Sequence, residues 1–439
     1  HNKTCRINNV KSTVFLTDWP PLQAEYGNGA TTATRNSDDD EPLIISTNKL
    51  KLKDYIEPLL YFTLTSSIEQ TLDIDTGLTD EFCSNLLKDD EHDRAYSLSD
   101  SDSSSGVPPY PLYKPLASSA LYKSILSGSV QRINATIPPF IIHEDSSFSL
   151  KQKECEWNKV ILEKGSDLIK TLESVEFELH CQEPFFSQLK DGKNTVEGRC
   201  ASAVYNRIDS GSLVLFNKCL LLQVEDVHRY SSFSIMLASE GLDKVLPGVE
   251  TIKQGTQIYR KFYSEEKEKL EGVIAIHVKP PTSSQPCNYL AAILSALHYD
   301  GIQRLLGIAQ TVGTIPDALP LPRSTLVSAF SVPHNPDVKS SVLSDGARAL
   351  AKHVNRGNGK FWGSFSGNDS CKNAIALKVI SDLIAHCCWI NVHIVPPHGA
   401  VFEIRVQDGY GARWSLKPTK FIGFLEPYME DGFTKGWKH

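Results

Sequence analysis

The pattern of hydrophobic and polar residues predicts a strand-rich region in the middle of the chain. Residues Val175–Cys181 alternate between apolar and polar side chains, which is the period of a half-buried strand. Helical periodicity follows around Phe233, Met236 and Leu237, and a long polar helix is predicted through Ile258–Tyr263. Further apolar runs of strand length are Ser212–Phe216, Cys219–Val224 and Gly272–Val278. Strands thus alternate with helices here, which favours a mixed architecture.

A second structured region is predicted from about residue 344 to residue 439. Asp345–Val354 and Cys371–Ala385 have helical periodicity, and the turn Asp408–Gly411 is typical of a β-hairpin. Four strands are predicted around that turn: Trp389–Val395, Val401–Val406, Arg413–Leu416 and Phe421–Leu425. The predicted fold class is therefore α+β, with an antiparallel sheet in this C-terminal domain.

Alternation along these strands divides their side chains between the two faces of the sheet. The face towards the helices is predicted to carry Ile390, Val392, Ile394, Phe402, Ile404 and Val406. The opposite face is predicted to carry Trp389, Asn391, His393, Glu403, Arg405 and Arg413. A tryptophan for stacking beside arginines for phosphate is typical of sheets that bind single-stranded nucleic acid. A cross-strand salt bridge from Glu403 to Arg405 or Arg413, beside a hydrogen-bonded histidine, is the alternative interpretation.

Helical segments and linkers complete the predicted organisation. A helix pair is expected within residues 54–88 and a long helix within residues 150–173. Helical periodicity in Asn288–Gly313 should break near Gly301, and a proline-rich run extends over Pro316–Pro336. The resulting division is an acidic, largely disordered arm with short helices (1–110), a helical lead-in (111–173), the strand-rich central domain (174–280), a helical and proline-rich connector (281–343) and the C-terminal α+β domain (344–439).

The net charge of −7 is distributed unevenly along the chain. Asp38–Ser105 holds about 17 acidic and about 5 basic residues, a balance near −12, so the remainder is near +5. Within this arm, Asp89–Ser105 is poor in apolar residues and is expected to be disordered. An acidic arm beside a mildly basic body fits a nucleic-acid binder whose arm contacts proteins, and it also fits an enzyme with an acidic linker.

Composition is that of an ordinary globular protein, with 41% hydrophobic and 22% charged residues. No apolar run approaches the ~18 residues that a membrane span needs, so no membrane partner is expected. The ten cysteines lack regular spacing, which favours reduced thiols and a cytoplasmic or nuclear location. Because the first residue is His1, a targeting segment upstream is left open.

A short charged motif begins at Gly192. A short helix that starts near Pro184 precedes it, and Gly192 suits the left-handed residue that ends such a helix. Lys193, Glu197 and Arg199 follow in a segment predicted to lead from a loop into a strand. Held by a cap and a turn, these charges are expected to face one cleft; a solvated charge run is the alternative.

This motif and the order of the surrounding elements resemble the ASCH family of PUA-like pseudo-barrels, over about residues 174–280. The family signature is a Gly, any residue, a Lys, two residues, a Glu, one residue and an Arg, placed after the first helix. Gly192, Glu197 and Arg199 match it. The resemblance implies a PUA-like β pseudo-barrel and, as in plant-type ASCH-domain RNA-binding-like proteins, a cleft that binds RNA.

Two departures from the signature bear on catalysis. Asn194 stands at the signature Lys position, with Lys193 one place earlier, and Ser212 stands where the family usually has an Asp. Relatives that hydrolyse acetylated cytidine use the signature Lys, whereas an Asn cannot exchange a proton near neutral pH. No catalytic residue is therefore assigned. A hydrolase of RNA or modified nucleosides, of ribonuclease or amidohydrolase type, is kept as the alternative, with Glu197 as general base and Lys193 as electrostatic partner.

RNA, single-stranded or structured, is the expected partner, and the protein is predicted to act in RNA metabolism or transcription co-regulation. Tyr230 and Phe233 are predicted to form a stacking wall, with core packing as their alternative role. The predicted RNA-binding residues are Lys193, Asn194, Thr195, Glu197, Arg199, Tyr230, Trp389, His393, Arg405 and Arg413. A third interpretation is a non-enzymatic coactivator scaffold whose acidic arm binds proteins.

No cofactor or metal is expected from the sequence. His386, Cys387, Cys388, His393 and His398 are close along the chain but lack the spaced pairs that zinc ligands normally show. The sequence also lacks a Gly-x-Ser-x-Gly elbow and a glycine-rich phosphate loop.

Overall fold

A computed structural model of the chain describes residues 52–93, 106–133, 148–335, 342–356 and 361–427. Most of the predicted acidic arm, including the Ser/Asp run at 97–105, lies outside the described residues. Within the described ranges, no helix combines the length and the apolar character that a membrane crossing requires.

A layer of helices forms the N-terminal part of the described structure. It contains α1 (Leu52–Ile68), α2 (Asp80–Leu87), α3 (Tyr113–Pro115), a π-helical segment (Leu116–Leu121), α4 (Tyr122–Ser127) and α5 (Phe148–Glu173). The predicted helix pair in 54–88 and the long helix in 150–173 are thus confirmed. Thr79 caps α2 by accepting a hydrogen bond from the backbone N–H of Phe82 at 3.3 Å. These helices share one hydrophobic core with α11 (Pro286–Leu305).

The central region is a five-stranded sheet that curls into a half-barrel, as the PUA-like prediction requires. Its strands are β1 (Phe177–Leu179), β2 (Val196–Cys200), β3 (Leu213–Phe216), β4 (Leu220–Tyr230) and β5 (Val273–Lys279). Their spatial order is β1-β3-β4-β5-β2, with β1 parallel to β3 and the other pairs antiparallel. Around the sheet lie α6 (Phe185–Lys190), a 3₁₀ turn (Tyr205–Arg207), α7 (Phe233–Glu240), α8 (Leu242–Val245), α9 (Ile252–Tyr259) and α10 (Glu265–Glu271).

The single long helix predicted through Ile258–Tyr263 is wrong, because α9 ends at Tyr259 and α10 begins only at Glu265. Ser264 interrupts the pattern: it has extended backbone angles, and its side chain accepts a hydrogen bond from the N–H of Lys267. Serine stabilises a new helix start in this position more than it stabilises a helix interior.

Alternation along β5 separates two cores. Ile274, Ile276 and Val278 belong to the core shared with the helical layer, while Val273 and Ala275 pack into a smaller core with α7 and α9. His277 continues the second set, so its side chain is on the α7 side of the sheet.

The C-terminal part is an antiparallel four-stranded meander with helices against it, which confirms the predicted α+β unit. Its strands are β6 (Trp389–Val395), β7 (Gly399–Arg405), β8 (Gly411–Leu416) and β9 (Thr419–Leu425), in sequential order. Its helices are α12 (Arg323–Phe330), α13 (Asp345–Arg356) and α14 (Asp369–His386). Gly409, at φ 84°, makes the predicted turn between β7 and β8.

The predicted inward face of this sheet is confirmed at most positions and wrong at Ile394. Ile390, Val392 and Phe402 are fully buried, whereas Ile394 is 52% exposed. Ile394 lies next to the hairpin that joins β6 to β7, where the strands still pair but the hydrophobic core has ended.

The predicted break in this helix is present but lies slightly before Gly301, because α11 is kinked there and then continues to Leu305. The non-helical residue is His298, at φ 50° and ψ −161°. Beyond α11 the chain joins the C-terminal sheet, since Ile308 bridges to Ile390 and the following segment contributes Leu326 to the same core. The five-region division of the chain stays a prediction.

The first residues of the predicted disordered segment are ordered. Asp93 is fully buried, and its carboxylate accepts hydrogen bonds from the backbone N–H groups of Tyr110 (2.7 Å) and Ser324 (3.2 Å). Further on, Gly106 and Val107 donate backbone hydrogen bonds to the C-terminal end of α14. The expectation of disorder from Asp89 onwards is therefore wrong for residues 89–93. The carboxylate of Asp93 is hydrogen-bonded to residues distant in sequence, and amino-acid composition does not reveal such contacts.

Candidate functional site

The loop after α6 is held in a fixed geometry by the end of that helix. Gly192 has φ 68°, and its N–H donates to the carbonyl of Leu189 at 3.1 Å. The N–H of Lys193 reaches back to the carbonyl of Gln188 at 2.9 Å. This pair of bonds is the Schellman arrangement, which satisfies carbonyls at a helix end and favours glycine at the left-handed position. The predicted role of Gly192 in ending the helix is confirmed.

Beyond the loop, Glu197 and Arg199 form a buried ion pair inside the half-barrel. Both residues lie on β2, are less than 10% exposed, and approach to 2.8 Å between Oε1 and Nη2. Arg199 also donates to the carbonyl oxygen of His180. Burial lowers the pKa of the Arg199 guanidinium, but Glu197 together with Tyr263, Tyr205 and Cys181 outweighs burial, and the net effect raises this pKa. Burial raises the pKa of Glu197, and Arg199 opposes that rise.

The other members of the motif point elsewhere. The side chain of Lys193 is 66% exposed and pairs with Asp191 at 3.0 Å, so Lys193 and Glu197 have different ionic partners. Asn194 is 2% exposed, and its Oδ1 accepts a hydrogen bond from the N–H of Val196. Thr195 donates its N–H to the carbonyl of Lys244, 3.0 Å away. The assignment of these residues to RNA binding stays a prediction.

A cavity of about 660 Å³ opens beside this loop. Asn194 and Thr195 form part of its wall, β4 and β5 form another part, and α1 contributes Phe62 and Ser66 from the opposite side. Lys190, Lys244 and Lys279 supply positive charge to its lining, and His277 also borders it. A concave site with both apolar walls and a few charged groups is the usual form of a ligand pocket.

The three lysines of the cavity differ in their ionic partners. Lys190 pairs with Glu69 at 2.6 Å, and Lys279 pairs with Glu225 at 3.3 Å. Lys244, by contrast, has no ion-pair partner among the residues that the structure describes. It is therefore the lysine of this cavity whose charge is not already matched by a carboxylate.

At the cavity edge, His277 belongs to a polar cluster with His228 and Glu240. Nδ1 of His228 lies 2.7 Å from Oε1 of Glu240, and Nε2 of His277 lies 2.9 Å from Oε2. The hydroxyl of Tyr230 donates to Oε1 of Glu240 at 2.6 Å. Burial and this bond to a carboxylate raise the pKa of Tyr230 to about 12. Phe233 is fully buried and stacks on Tyr259, with ring centroids 4.1 Å apart. This contact agrees with the alternative interpretation of Phe233 as a core residue.

The sequence reasoning missed His228, Glu240 and His277. A strand through Val227–Arg229 agrees with β4, which continues to Tyr230 and carries His228 to the partner strand β5. The contact with Glu240 depends on the position of α7, which no local pattern contains.

On the C-terminal sheet, Glu403 is the centre of a network of charges. It is 3% exposed and contacts Nε of Arg405 and Nη2 of Arg413 at 2.7 Å each, and Nε2 of His393 at 3.3 Å. Burial raises the pKa of this carboxyl group, but the histidine hydrogen bond and both arginines outweigh it and hold the pKa at about 2. The alternative salt-bridge interpretation therefore describes the observed contacts.

The same sheet face is partly covered by the chain that precedes the C-terminal unit. Asn391 is fully buried, donates to Thr311 at 2.7 Å and accepts from Thr314 at 3.0 Å. Trp389 is 6% exposed and touches His393 edge to face. The exposed part of this face is thus smaller than a sheet surface on which several bases could stack. Its partly exposed polar groups are those around His393.

Comparisons with known proteins match two regions of the chain. Residues 179–282 match the family model of the ASCH domain, and residues 334–426 match that of the CdiA C-terminal tRNase toxin domain. No curated protein matches the chain.

Two solved structures are similar to part of the chain. The crystal structure of the hypothetical protein PH0355 is 40% identical, with 24% of this chain and 97% of that chain covered and a TM-score of 0.23. The solution structure of protein PF0455 from Pyrococcus furiosus is 41% identical, with the same coverage and a TM-score of 0.22. The resemblance predicted for about residues 174–280 is confirmed by the family model: residues 179–282 of this chain are an ASCH domain.

Proposed function

We propose that the protein binds RNA through the cavity beside the Gly192–Arg199 loop. An ASCH domain supports RNA binding in general. The observation that carries the proposal is the cavity itself, about 660 Å³ in volume, with Lys190, Lys244 and Lys279 around the Asn194–Thr195 wall. Unpaired nucleotides insert their bases into such concave sites, while lysines at the rim contact phosphate.

Each group of the wall has a role in this proposal. Lys244 contacts a backbone phosphate, because no carboxylate of the described residues pairs with its charge. Asn194 and Thr195 border the space where the edge of a base would lie. Glu197 and Arg199 do not contact the RNA in this proposal, since their pair is buried on β2 and is not part of the cavity lining.

Lys244→Ala is expected to weaken the binding of single-stranded RNA and to reduce its salt dependence. One lost phosphate contact lowers the slope of log affinity against log salt by about 0.7 for a single strand. At about 0.1 M salt we expect a roughly 3- to 10-fold weaker affinity, measured by fluorescence anisotropy with a labelled oligonucleotide.

The matched control is Lys170→Ala, which removes a lysine that is 74% exposed on α5 and is not part of the cavity lining. Equal effects of the two substitutions would show that binding is a diffuse charge effect. The absence of any salt-sensitive binding by the unmodified protein at micromolar concentration would overturn the proposal.

We propose RNA cleavage by the C-terminal unit as a second candidate function. The match of residues 334–426 to a tRNase toxin domain favours it, together with the group around His393. Cleavage of a phosphodiester by its own 2′-hydroxyl requires a proton acceptor, a proton donor and cations beside the phosphate. His393 accepts the proton of the 2′-hydroxyl, water protonates the leaving 5′-oxygen, and Arg405 and Arg413 supply the cations. Glu403 stays ionised and positions all three.

His393→Ala is expected to abolish the cleavage of transfer RNA in a chelator-containing buffer, with an at least 100-fold lower rate because a proton-transfer group is lost. Gel electrophoresis of end-labelled transfer RNA measures the rate of cleavage. His398→Ala is the control, since His398 is exposed on the adjacent hairpin. Intact RNA after incubation with the unmodified protein would contradict this second function and leave the binding proposal untouched.

A further inference from the structure

The cluster of His228, Glu240 and His277 is assembled from three separate elements. On the paired strands, Asp226 is opposite His277, and His228 follows two positions later. Glu240 is the last residue of α7, which packs against β4 and β5. The two imidazole rings meet edge to face, with centroids 4.6 Å apart. The donor atoms of all three residues lie within 4.8 Å of one another.

These donors match the chemistry of a divalent metal of the zinc type. Imidazole nitrogen and carboxylate oxygen are the usual ligands of such ions, at about 2.0–2.2 Å. Three donors around one ion stand roughly 3 to 3.5 Å apart. Here each histidine nitrogen is 2.7 to 2.9 Å from a Glu240 oxygen. Small side-chain rotations therefore suffice to place an ion between them.

The surroundings of the cluster support the same assignment. Oδ2 of Asp226 lies 3.1 Å from Nε2 of His228, on the side of the ring away from Glu240. A carboxylate on the far nitrogen fixes the tautomer of a metal-ligating histidine and leaves the near nitrogen free to coordinate. Tyr230 donates to Glu240 and orients it in the same way.

A second observation concerns the hydrogen bonding of Nε2 in His277. This atom is buried and makes no hydrogen bond to any described residue, although Oε2 of Glu240 is only 2.9 Å away. The contact is close enough for an ion pair but is not aligned as a hydrogen bond. Buried nitrogens without a partner are rare in folded proteins. A metal ion between His277 and Glu240 would satisfy both atoms.

We propose that His228, Glu240 and His277 bind a divalent metal ion, with Asp226 and Tyr230 as their outer partners. The carboxylates of Glu240 and Asp226 contact the two imidazole rings, and a divalent cation would neutralise their two negative charges. Three protein ligands leave at least one coordination position open, which distinguishes such a site from a closed structural one. Because His277 also lines the cavity, the ion lies at the edge of the proposed RNA site, but its binding does not depend on that function.

Cobalt(II) titration of the chelator-treated full chain tests the site. Cobalt is the probe because its absorption separates nitrogen and oxygen ligands from thiolates, and the described chain contains free cysteines. We expect one equivalent that gives d–d bands without a sulfur-to-cobalt charge-transfer band. Glu240→Gln and His228→Ala abolish these bands, and Asp226→Asn weakens the affinity about 10- to 100-fold.

His353→Ala is the matched control. His353 pairs with Glu426 at the same 2.7 Å distance, but among the described residues no second histidine joins this pair. This variant keeps the cobalt signal. Circular dichroism verifies that each variant is folded. A signal that survives in Glu240→Gln, one with thiolate character, or none at all would each overturn the proposal. Fluorescence anisotropy with labelled RNA in the presence of chelator measures RNA binding at the cavity separately from metal binding at the cluster.

Discussion

Replacing Glu403 with glutamine is expected to lower the free energy of unfolding of the C-terminal unit by about 3 to 5 kcal/mol. The carboxylate is 3% exposed and is the shared partner of Arg405 and Arg413. Glutamine has nearly the same shape but no charge. Two largely buried guanidinium groups would then lose the anion that offsets the cost of removing them from water.

Urea unfolding measures this change through tryptophan fluorescence, since Trp362, Trp389 and Trp414 are all buried in that unit. Asp382→Asn is the control, because Asp382 is an exposed acid on α14. Its expected effect is within about 0.5 kcal/mol. A similar small value for Glu403→Gln would show that the network contributes little net stability.

The same carboxylate predicts how stability depends on acidity. Its pKa in the folded state is about 2, below the ordinary value of 4.5. The contribution of the ionised Glu403 to the free energy of unfolding is therefore complete above about pH 4.5 and is lost as the pH falls towards about 2. At about 1.4 kcal/mol per unit, it amounts to roughly 3 kcal/mol. The stability difference between the unmodified protein and Glu403→Gln should shrink across that window. A difference that is constant with pH would contradict the argument.

Arg199→Met is expected to destabilise the half-barrel by a comparable amount, about 3 to 5 kcal/mol near neutral pH. The substitution keeps much of the apolar volume but leaves Glu197 buried without its cation. Burial raises the pKa of Glu197, so in the variant this group takes up a proton on folding. A raised folded-state pKa means that the deficit is small in acid and grows as the pH rises.

The double variant Glu197→Gln/Arg199→Met separates the loss of the pair from the burial of a lone charge. It is expected to be more stable than Arg199→Met alone, because no ionised group then remains in the barrel. Thermal unfolding of the full chain, followed by circular dichroism over several pH values, gives both results. Equal stability of the single and double variants would show that Glu197 is not a charged partner.

Local signals in the sequence were sufficient for most of the architecture. The glycine at 192 and the turn Asp408–Gly411 act through backbone conformation, which depends on a few neighbouring residues. Alternation assigned the inward face of β6 and β7 for the same reason, except at Ile394. The motif with Glu197 and Arg199 was sufficient to predict the ASCH domain.

The candidate sites depended on contacts that no local pattern contains. The cavity needs α1 as a wall, although Ser66 is far from Thr195 in sequence. Glu197 and Arg199 were expected in a cleft, yet strand pairing with β5 takes them into the barrel. Lys193 is only a few residues away but lies before the strand, and its side chain remains in solvent. Proximity along the chain therefore did not predict which charges would meet.

The buried carboxylate of Asp93 joins residues that are distant in sequence. Asp93 is fixed to Tyr110 and Ser324, and Gly106 and Val107 are fixed to the end of α14. An aspartate at the end of the N-terminal helical part is thereby held on the C-terminal unit through two backbone N–H groups. Loss of this carboxylate would leave both N–H groups without their acceptor, so a change at Asp93 acts on the C-terminal unit although the residue lies far outside it in sequence.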